Sequence, residues 1–305
     1  MKLNKLRVLV IGYGSIGQKH CKILKKFTPN ITVLSKKKRI NFKRIKNVNQ
    51  IVKLNPDYIV ISCETSKHYY YLNYIERHIS KKIILVEKPI MEKFRRINLT
   101  NNQYYVGYNL RFHPVILFLK KNLKNKKINY VNINATSYLP NWRKNIKYED
   151  SSSALKKKGG GLILDLSHEL DYINWIFGKI SLIYSYNNKI SNLKINTDDF
   201  LLLFGKLRKK IKLNLCMNFF SRLKKREIII EGKDFSLKAD IIKNNLQYFS
   251  KKNKKISWPK FDINQTYINQ HKNILRQNFR NLCKASEAIN TLKLIDQIKR
   301  KRKLR

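Results

Sequence analysis

The chain has 305 residues, of which 43% are hydrophobic and 11% aromatic, a composition typical of a globular protein with about two domains. It carries a formal net charge of +47, but its lysines are spread along the whole sequence instead of forming one patch. The joint abundance of Lys, Asn, Ile, Tyr and Phe indicates that this charge comes from a compositional bias of the genome. The alternative is that the charge steers an anionic substrate or cofactor to the protein. A nucleic-acid partner is not expected.

Targeting and redox signals are few. No apolar run approaches the roughly 20 residues that span a bilayer, so no membrane partner is expected. The basic start of the chain leads into an apolar run that we interpret as a strand and not a signal peptide, which favours a cytoplasmic protein. The four cysteines form no C-x-x-C pair and are predicted to be reduced, packed thiols, and nothing in the sequence resembles a metal site.

The first predicted elements are a strand, a glycine-rich turn and a helix. Residues 8–17 read V-L-V-I-G-Y-G-S-I-G, an apolar run that continues into G-x-G-x-x-G, the context that a dinucleotide-binding fingerprint requires. Gly12 would form the tight turn, Gly14 would let the backbone approach a pyrophosphate, and Gly17 would let the helix pack closely on the strand. Tyr13, Ser15 and Ile16 share this predicted cofactor-binding turn. A glycine-rich turn of another α/β protein is the alternative.

Strand and helix signals then alternate up to about residue 115. The predicted strands are Ile31–Ser35, Tyr58–Ser62, Ile83–Glu87 and Tyr104–Tyr108, with a helix over Lys67–Ile79. This alternation predicts a doubly wound parallel sheet with helices on both faces, forming a dinucleotide-binding domain over residues 1–115.

The pattern changes beyond that point. Longer strands are predicted at Ile128–Leu139, Ile180–Tyr186, Phe200–Phe204, Ile211–Phe219 and Glu227–Ile230, interrupted by one helix over Leu162–Phe177, and the chain closes on a helix over Ala285–Arg300. We therefore expect residues 116–305 to form an α+β domain with a largely antiparallel open sheet.

The second strand carries the signal for cofactor choice. An acidic residue about 20 positions beyond the fingerprint normally binds the adenosine ribose and selects NAD. Here Ser35 is followed by Lys36, Lys37, Lys38 and Arg39. A hydroxyl followed by cations suits a 2′-phosphate, so NADP is predicted over NAD, with Ser35, Lys36 and Lys37 as binding residues. The alternative is a run of lysines on a solvated turn.

Four segments in order resemble the Gfo/Idh/MocA family of nicotinamide-dependent oxidoreductases: the fingerprint, Glu87-Lys88-Pro89, V-G-Y-N-L-R-F-H-P from residue 106, and G-G-G-L-I-L-D-L-S-H-E-L-D from residue 159. The resemblance implies a Rossmann domain followed by an α/β domain whose open sheet often mediates oligomerisation. It also implies hydride transfer at a carbon–oxygen centre, usually of a sugar. The segment L-P-N-W-R with Tyr148 is similar to a variant encoded with surface-polysaccharide and flagellar-glycan genes.

The resemblance also implies catalytic roles. It assigns Lys88 to the substrate hydroxyl and the nicotinamide ribose, where an ammonium can stabilise an alkoxide or donate a proton; Glu87 is placed beside the cofactor. His168 is the predicted proton acceptor, because its ordinary pKa is nearest neutrality. Asp165 and Asp171, three residues to either side, could orient the imidazole. The family more commonly has three residues between Asp and His, so Asp165 is either a catalytic partner or structural. Glu169 is expected to be solvated or to interact with the dipole at the N-terminus of its helix.

Other candidates carry open alternatives. Arg111 is predicted to bind the cofactor edge or a substrate carboxylate, and a structural ion pair is equally compatible. Trp142, Arg143 and Tyr148 form a loop suited to stacking on a sugar ring and gripping an anionic group, or to domain packing. His68 resembles a residue on the cofactor side of the family. The remaining histidines at 20, 78 and 271 lie in no functional pattern.

Together these observations predict a cytoplasmic, homo-oligomeric NAD(P)-dependent oxidoreductase acting on a sugar or nucleotide-sugar intermediate of surface-glycan biosynthesis. The alternative of a different class is a catalytically idle cofactor sensor that serves as a regulator or a nucleic-acid-binding module. Reduction of a non-sugar ring is a third option.

Overall fold

A computed structural model describes residues 5–143 and 146–301, which divide into two compact units. The first comprises the described residues up to Asn109 together with Asn264–Leu292. The second comprises Leu110–Ile263 and the described residues from Lys293 onward. The sequence predicts a second domain over residues 116–305, whereas residues 264–292 return to the first unit. The sequence carries little signal for this return, since the strand within it is only two residues long.

The first unit is built on a seven-stranded sheet in the order β15-β6-β5-β4-β1-β2-β3. The strands are β1 (Val8–Ile11), β2 (Ile31–Leu34), β3 (Lys43–Ile45), β4 (Tyr58–Ile61), β5 (Ile83–Val86), β6 (Gln103–Val106) and β15 (Cys283–Lys284). All neighbours are parallel except β15 and β6. Every residue of β1, β2 and β4 is buried, as expected for apolar strands covered on both faces.

The helices of the first unit are α1 (Ser15–Leu24), α2 (Gln50–Leu54), α3 (His68–His78), α7 (Asn264–Leu275) and the first part of α8 (Ala285–Lys301). Strand β3 was absent from the predicted elements, because its three residues Lys-Arg-Ile carry two charges and form a partly exposed edge.

The second unit contains an eight-stranded sheet in the order β14-β13-β12-β11-β7-β10-β9-β8. Its strands are β7 (Ile128–Tyr138), β8 (Ser181–Asn188), β9 (Phe200–Lys206), β10 (Lys212–Asn218), β11 (Phe220–Gly232), β12 (Ser236–Asp240), β13 (Asn245–Phe249) and β14 (Lys254–Ser257). All neighbouring pairs are antiparallel except β7 and β10. A mostly parallel sheet and a mostly antiparallel one confirm the predicted fold class. The short strands β12 to β14 were not predicted; β12 and β14 contain lysine, and none of the three is longer than five residues.

Helices α4 (Pro114–Asn122), α5 (Leu162–Asp165) and α6 (Ser167–Phe177) also belong to the second unit. The single helix predicted over Leu162–Phe177 is in fact interrupted at Leu166, where φ is −95° and ψ is 25°. Asp165 and His168 therefore lie in different helices, so the predicted helical spacing does not hold for that pair, whereas His168 and Asp171 are three residues apart within α6.

The described part of the chain contains no helix long and apolar enough to cross a membrane. Its four cysteines are free thiols, as the sequence predicted. Burial raises the pKa of the Cys21 thiol to about 12, so this side chain packs as a neutral group and not as a reactive thiolate.

An ion pair between Arg111 and Asp171 lies in the interior of the second unit. Arg111 Nη2 is 2.7 Å from Asp171 Oδ1 and Nε is 2.9 Å from Oδ2, while the two side chains are only 2% and 3% exposed. The guanidinium also lies over the Trp175 ring, 5.1 Å from its centroid. This bidentate arrangement is the kind of structural ion pair that the sequence left open as the alternative for Arg111, while the cofactor contact of Arg111 and the orienting role of Asp171 stay predictions.

The Asp171→Ala substitution should destabilise the protein by about 3–5 kcal/mol, because it leaves the Arg111 charge buried without its carboxylate. Chemical denaturation followed by fluorescence measures the change.

The matched control is Lys238→Ala, which removes the half-exposed partner of Glu227 at 3.6 Å in the same unit. That exposed pair should contribute no more than about 1 kcal/mol. Equal losses in the two variants would contradict the structural role of the buried pair.

Candidate functional site

The glycine-rich turn between β1 and α1 has the three features that a dinucleotide requires. Gly12 has a φ of +96°, and a Cβ there would lie 2.7 Å from the Cys63 Cα. A Cβ on Gly17 would overlap the Gly12 carbonyl oxygen, whereas a Cβ on Gly14 would meet nothing within 4 Å. Gly14 is the N-cap of α1 and has no side chain to cap it, so the first-turn amides can donate to a phosphate.

A cleft of about 740 Å³ opens beside this turn. It is lined by Gly12, Leu34, Ser35, Lys36, Lys46, Asn47, Val48, Asn49, Cys63, Ser66, Lys67, Tyr70 and Tyr71. Ser35 and Lys46 follow the paired residues Leu34 and Ile45 of β2 and β3. Because parallel strands end at the same edge of a sheet, these two neighbours bring Lys36 and Lys46 to one side of the cleft. A dinucleotide therefore fits the residues present, with its phosphates at α1 and its adenosine toward β2 and β3.

The charge of this cleft is positive. The first 56 residues contain 15 Lys or Arg and no Asp or Glu. Glu64 lies 2.8 Å from Lys67 and offsets that lysine. The sequence analysis missed Lys46, which becomes apparent only when β3 is recognised as a strand parallel to β2.

The turn after β2 is internally braced. The Lys37 amide donates to Ser35 Oγ at 3.2 Å, and Arg44 Nη1 donates to the Lys37 carbonyl at 2.6 Å. Lys36 lines the cleft. Four other predicted cofactor residues, Tyr13, Ser15, Ile16 and Lys37, are not among the described residues that line it, although the first three belong to the fingerprint turn and the start of α1.

The Glu87-Lys88-Pro89 segment follows β5 at its carboxyl end. The Lys88 side chain is half-buried. Glu87 is buried, its Oε1 lies 2.9 Å from His20 Nε2, and a Cβ on Gly107 would be 2.8 Å from the same oxygen. The Glu87 carboxylate is thus held by the protein interior, which corrects the expectation that it faces the cofactor. The sequence analysis also missed His20, since residues 20 and 87 are distant along the chain.

In the second unit, the glycine triplet leads into α5. Gly161 has a φ of +126°, which favours glycine at this N-cap. Asp198 Oδ2 accepts the Ile163 amide and Asn187 Nδ2, each at 3.0 Å, so a carboxylate from outside the helix caps its first turn. Asp198 was not identified from the sequence, although the adjacent acids at 198 and 199 could have drawn attention to it.

His168 and Asp165 lie on either side of the break between the two helices. His168 is in the first turn of α6, Asp165 ends α5, and both side chains are half-buried. Glu169 is fully buried and its Oε1 lies 2.6 Å from Arg226 Nε. Glu169 is therefore not solvated, and its place in the first turn of α6 agrees with the alternative of a carboxylate at the helix N-terminus.

The loop after β7 surrounds a small cavity lined by Leu139, Trp142, Arg143, Ile146, Tyr148, Ser151 and Ser153. Trp142 is 37% exposed, donates from Nε1 to Ser137 Oγ at 3.0 Å and packs edge-on against Phe219. Tyr148 OH accepts the Lys194 amide at 3.1 Å. Arg143 is exposed. Trp142 and Tyr148 thus have structural contacts, and Arg143 is the member best placed to meet a ligand.

Within residues 5–143 and 146–301, no three His, Cys, Asp or Glu side chains are grouped so that they could hold a metal ion.

Solved structures with this fold include enzymes and a regulator. The UDP-N-acetylglucosamine 3-dehydrogenase GnnA of Acidithiobacillus ferrooxidans is 16% identical, with 96% of each chain covered and a TM-score of 0.74. The WlbA dehydrogenase of Bordetella pertussis, solved with NADH and UDP-GlcNAcA, is 15% identical over 99% of this chain and 96% of its own, with a TM-score of 0.80. The transcriptional regulator Gal80p of Kluyveromyces lactis is 17% identical over 99% and 93%, also at 0.80. At these identities the likeness shows the fold.

No curated protein matches the sequence. Residues 120–304, more than half of the chain, match the C-terminal alpha/beta domain of the oxidoreductase family Gfo/Idh/MocA. Together with the fold of both units, this match shows that the chain belongs to the Gfo/Idh/MocA oxidoreductase family.

Proposed function

We propose that this protein is a nicotinamide-dependent oxidoreductase that moves a hydride to or from a carbon–oxygen centre of a sugar or nucleotide sugar. The observation that carries the proposal is the fingerprint turn, in which Gly14 leaves open space beside the N-terminus of α1 and a cleft of about 740 Å³. The nicotinamide cofactor would supply the redox chemistry, and the protein would orient the substrate and handle one proton.

Lys88 and His168 are the proposed catalytic residues. The Lys88 ammonium would bind the reacting oxygen and stabilise negative charge that develops on it. His168 would accept or return the proton, with Asp165 as its proposed partner. Lys88 belongs to the first unit and His168 to the second.

A sugar-type substrate is supported by the loop that contains Trp142, Arg143 and Tyr148, which combines aromatic rings with an exposed cation. Two proteins of the same fold carry UDP-sugar names or ligands. A role in surface-glycan biosynthesis, a cytoplasmic location and assembly into a homo-oligomer complete the proposal.

The second candidate function is cofactor sensing without catalysis, favoured by the similarity in fold to the regulator Gal80p. Coupled turnover of any sugar or nucleotide sugar would exclude it as the whole function. Cofactor binding and salt-dependent DNA retention without turnover would support it.

We also propose that NADP is the preferred cofactor. No carboxylate follows β2, and Lys36 and Lys46 line the same cleft. An acidic residue here would repel a 2′-phosphate, whereas two ammonium groups would attract it.

Lys46→Glu should weaken NADP binding by roughly ten- to hundredfold, the scale of one lost charge-assisted hydrogen bond plus a new repulsion. It should leave the affinity for NAD nearly unchanged, because NAD lacks the 2′-phosphate. Isothermal titration with both cofactors at moderate salt measures the change, and Lys36→Glu should behave alike.

Lys43→Glu is the matched control, since this exposed residue of β3 carries the same charge change but is not among the described residues that line the cleft. Tighter binding of NAD than of NADP by the unaltered protein would contradict the preference. Equal losses of NADP affinity in Lys43→Glu and Lys46→Glu would show that the effect comes from net charge and not from a contact made by Lys46.

Lys88→Ala and His168→Ala should each lower kcat by roughly two to four orders of magnitude, as expected when a proton-transfer group is removed. Turnover is measured with the substrate found in a cofactor-coupled screen of sugars and nucleotide sugars. Cofactor affinity and thermal stability should be retained. Lys93→Ala, an exposed neighbour of the same segment, is the control and should turn over normally. Near-normal rates in either variant would remove that residue from the mechanism.

Arg143→Ala should raise KM and leave kcat and cofactor affinity close to their original values, because it removes a substrate contact made equally in the ground and transition states. Initial-rate kinetics with the same substrate measure this. Exposed Lys147→Ala, on the same loop, is the charge-matched control. Unchanged kinetics together with a lower melting temperature would assign the loop to packing.

A further inference from the structure

A buried chain of hydrogen-bonding side chains ends at the residue before Lys88. His20 Nε2 lies 2.9 Å from Glu87 Oε1, and His20 Nδ1 lies 2.8 Å from His271 Nε2. His271 Nδ1 lies 2.9 Å from the Tyr58 hydroxyl. His20 and His271 have no exposed surface, and Tyr58 is 1% exposed. The chain joins α1, α7 and β4 to the end of β5, all within the first unit.

One arrangement of the protons gives every link of this chain a donor and an acceptor. Burial, with a smaller contribution from the Glu87 charge, raises the pKa of the Tyr58 hydroxyl well above its usual value, so the hydroxyl keeps its proton. Burial and the neighbouring His20 lower the pKa of His271, so it is neutral and carries one proton. With Tyr58 as the donor to His271 Nδ1, that proton lies on His271 Nε2, His20 accepts it at Nδ1 and donates from Nε2, and Glu87 accepts.

The residue after Lys88 has its own anchor. His68 Nδ1 lies 3.0 Å from the Pro89 carbonyl oxygen, and His68 is 1% exposed at the start of α3. Burial lowers the pKa of His68, although its contacts with the Cys63 and Pro89 carbonyls oppose that shift. A neutral imidazole has one proton to donate. We assign it to Nδ1, which makes the shorter contact and donates to the Pro89 carbonyl oxygen.

Lys88 thus lies between Glu87 and Pro89, each of which is hydrogen-bonded to a buried histidine. A Cβ on Gly107 would lie 2.8 Å from Glu87 Oε1, the oxygen that contacts His20, so a side chain at position 107 would crowd this contact. The Lys88 amide also donates to Glu87 Oε2 at 3.3 Å, so the carboxylate joins His20 to the backbone of Lys88 itself. Loss of His20 would remove one of the two donors that compensate this buried charge.

We propose that His20, supported by His271 and Tyr58, and independently His68 are positioning residues that fix the backbone on either side of Lys88. This inference rests on the proposed role of Lys88 as a catalytic residue. The histidines touch neither cofactor nor substrate; they act through Glu87 and Pro89.

The test compares disruptive and conservative variants at each anchor. His20→Leu and His68→Leu remove the hydrogen bond. His20→Gln and His68→Asn place an amide nitrogen near the position of the imidazole nitrogen that donates. His78→Leu is the control, because His78 is an exposed histidine outside this network.

The readout is the rate at which acetic anhydride acylates Lys88 as a function of pH, measured by peptide mass spectrometry with Lys93 and Lys67 as internal references. Each Leu variant should change the Lys88 rate by roughly tenfold, the scale set by one charge-assisted hydrogen bond, and leave the reference lysines unchanged. The amide variants should return the rate toward that of the unaltered protein. Titration with NADP and a melting curve verify that each variant is folded.

An unchanged Lys88 profile in folded Leu variants would overturn the proposal, as would an equal change in His78→Leu. If one Leu variant does not fold, the other anchor decides the outcome. Acylation requires no turnover, so an intact acylation pattern without any dehydrogenase activity would reject the proposed function and retain the positioning role. Once a substrate is known, the disruptive variants should lower kcat more than they change KM.

Discussion

The contact between Gly17 and the Gly12 carbonyl is the constraint on which the rest of the first unit depends. A side chain at position 17 would overlap that oxygen, so only glycine lets α1 cross β1 at this distance. The same crossing has two consequences along the helix. Its N-terminus leaves Gly14 facing open space beside the cleft, and its second turn brings His20 to the Glu87 carboxylate. One close approach thus prepares both the cofactor cleft and the segment that carries Lys88.

The placement of the acidic residues explains how so basic a chain folds. Only 19 Asp and Glu accompany 66 Lys and Arg, and six of them are buried: Glu76, Glu87, Glu169, Asp171, Asp198 and Asp199. Each has a specific structural partner. Asp171 and Glu169 face arginines, Asp198 caps a helix, and Glu76 accepts the amides of Thr100 and Asn101. Exposed lysines contribute little to stability in either direction. The positive charge can therefore accumulate on the surface while buried carboxylates maintain the fold.

The sequence predicts what depends on local pattern. Strands β1, β2, β4 and β5 are continuous apolar runs, and the fingerprint glycines have a fixed spacing, so these elements and their turn could be placed before the structure. Contacts between distant segments could not. The pairing of Arg111 with Asp171, of Glu169 with Arg226 and of His20 with Glu87 each joins residues more than 50 positions apart. A three-residue charged strand such as β3 also lacks a detectable period, which is why Lys46 was missed although Lys36 was found.

The position of the buried hydrogen bonds bears on the choice between catalysis and cofactor sensing. A sensor needs the fingerprint turn and the cleft, both of which involve α1 and the ends of β1, β2 and β3. It has no need to hold a lysine after β5. In this protein the residues on both sides of Lys88 contact buried histidines, and one of these contacts continues through two further side chains to β4. Burying three histidines and a carboxylate costs desolvation free energy, which hydrogen bonding within the network offsets. Binding of a cofactor alone gives no physical reason for such a network at this position, whereas hydride transfer requires the group that stabilises the reacting oxygen to be held in a narrow range of geometry.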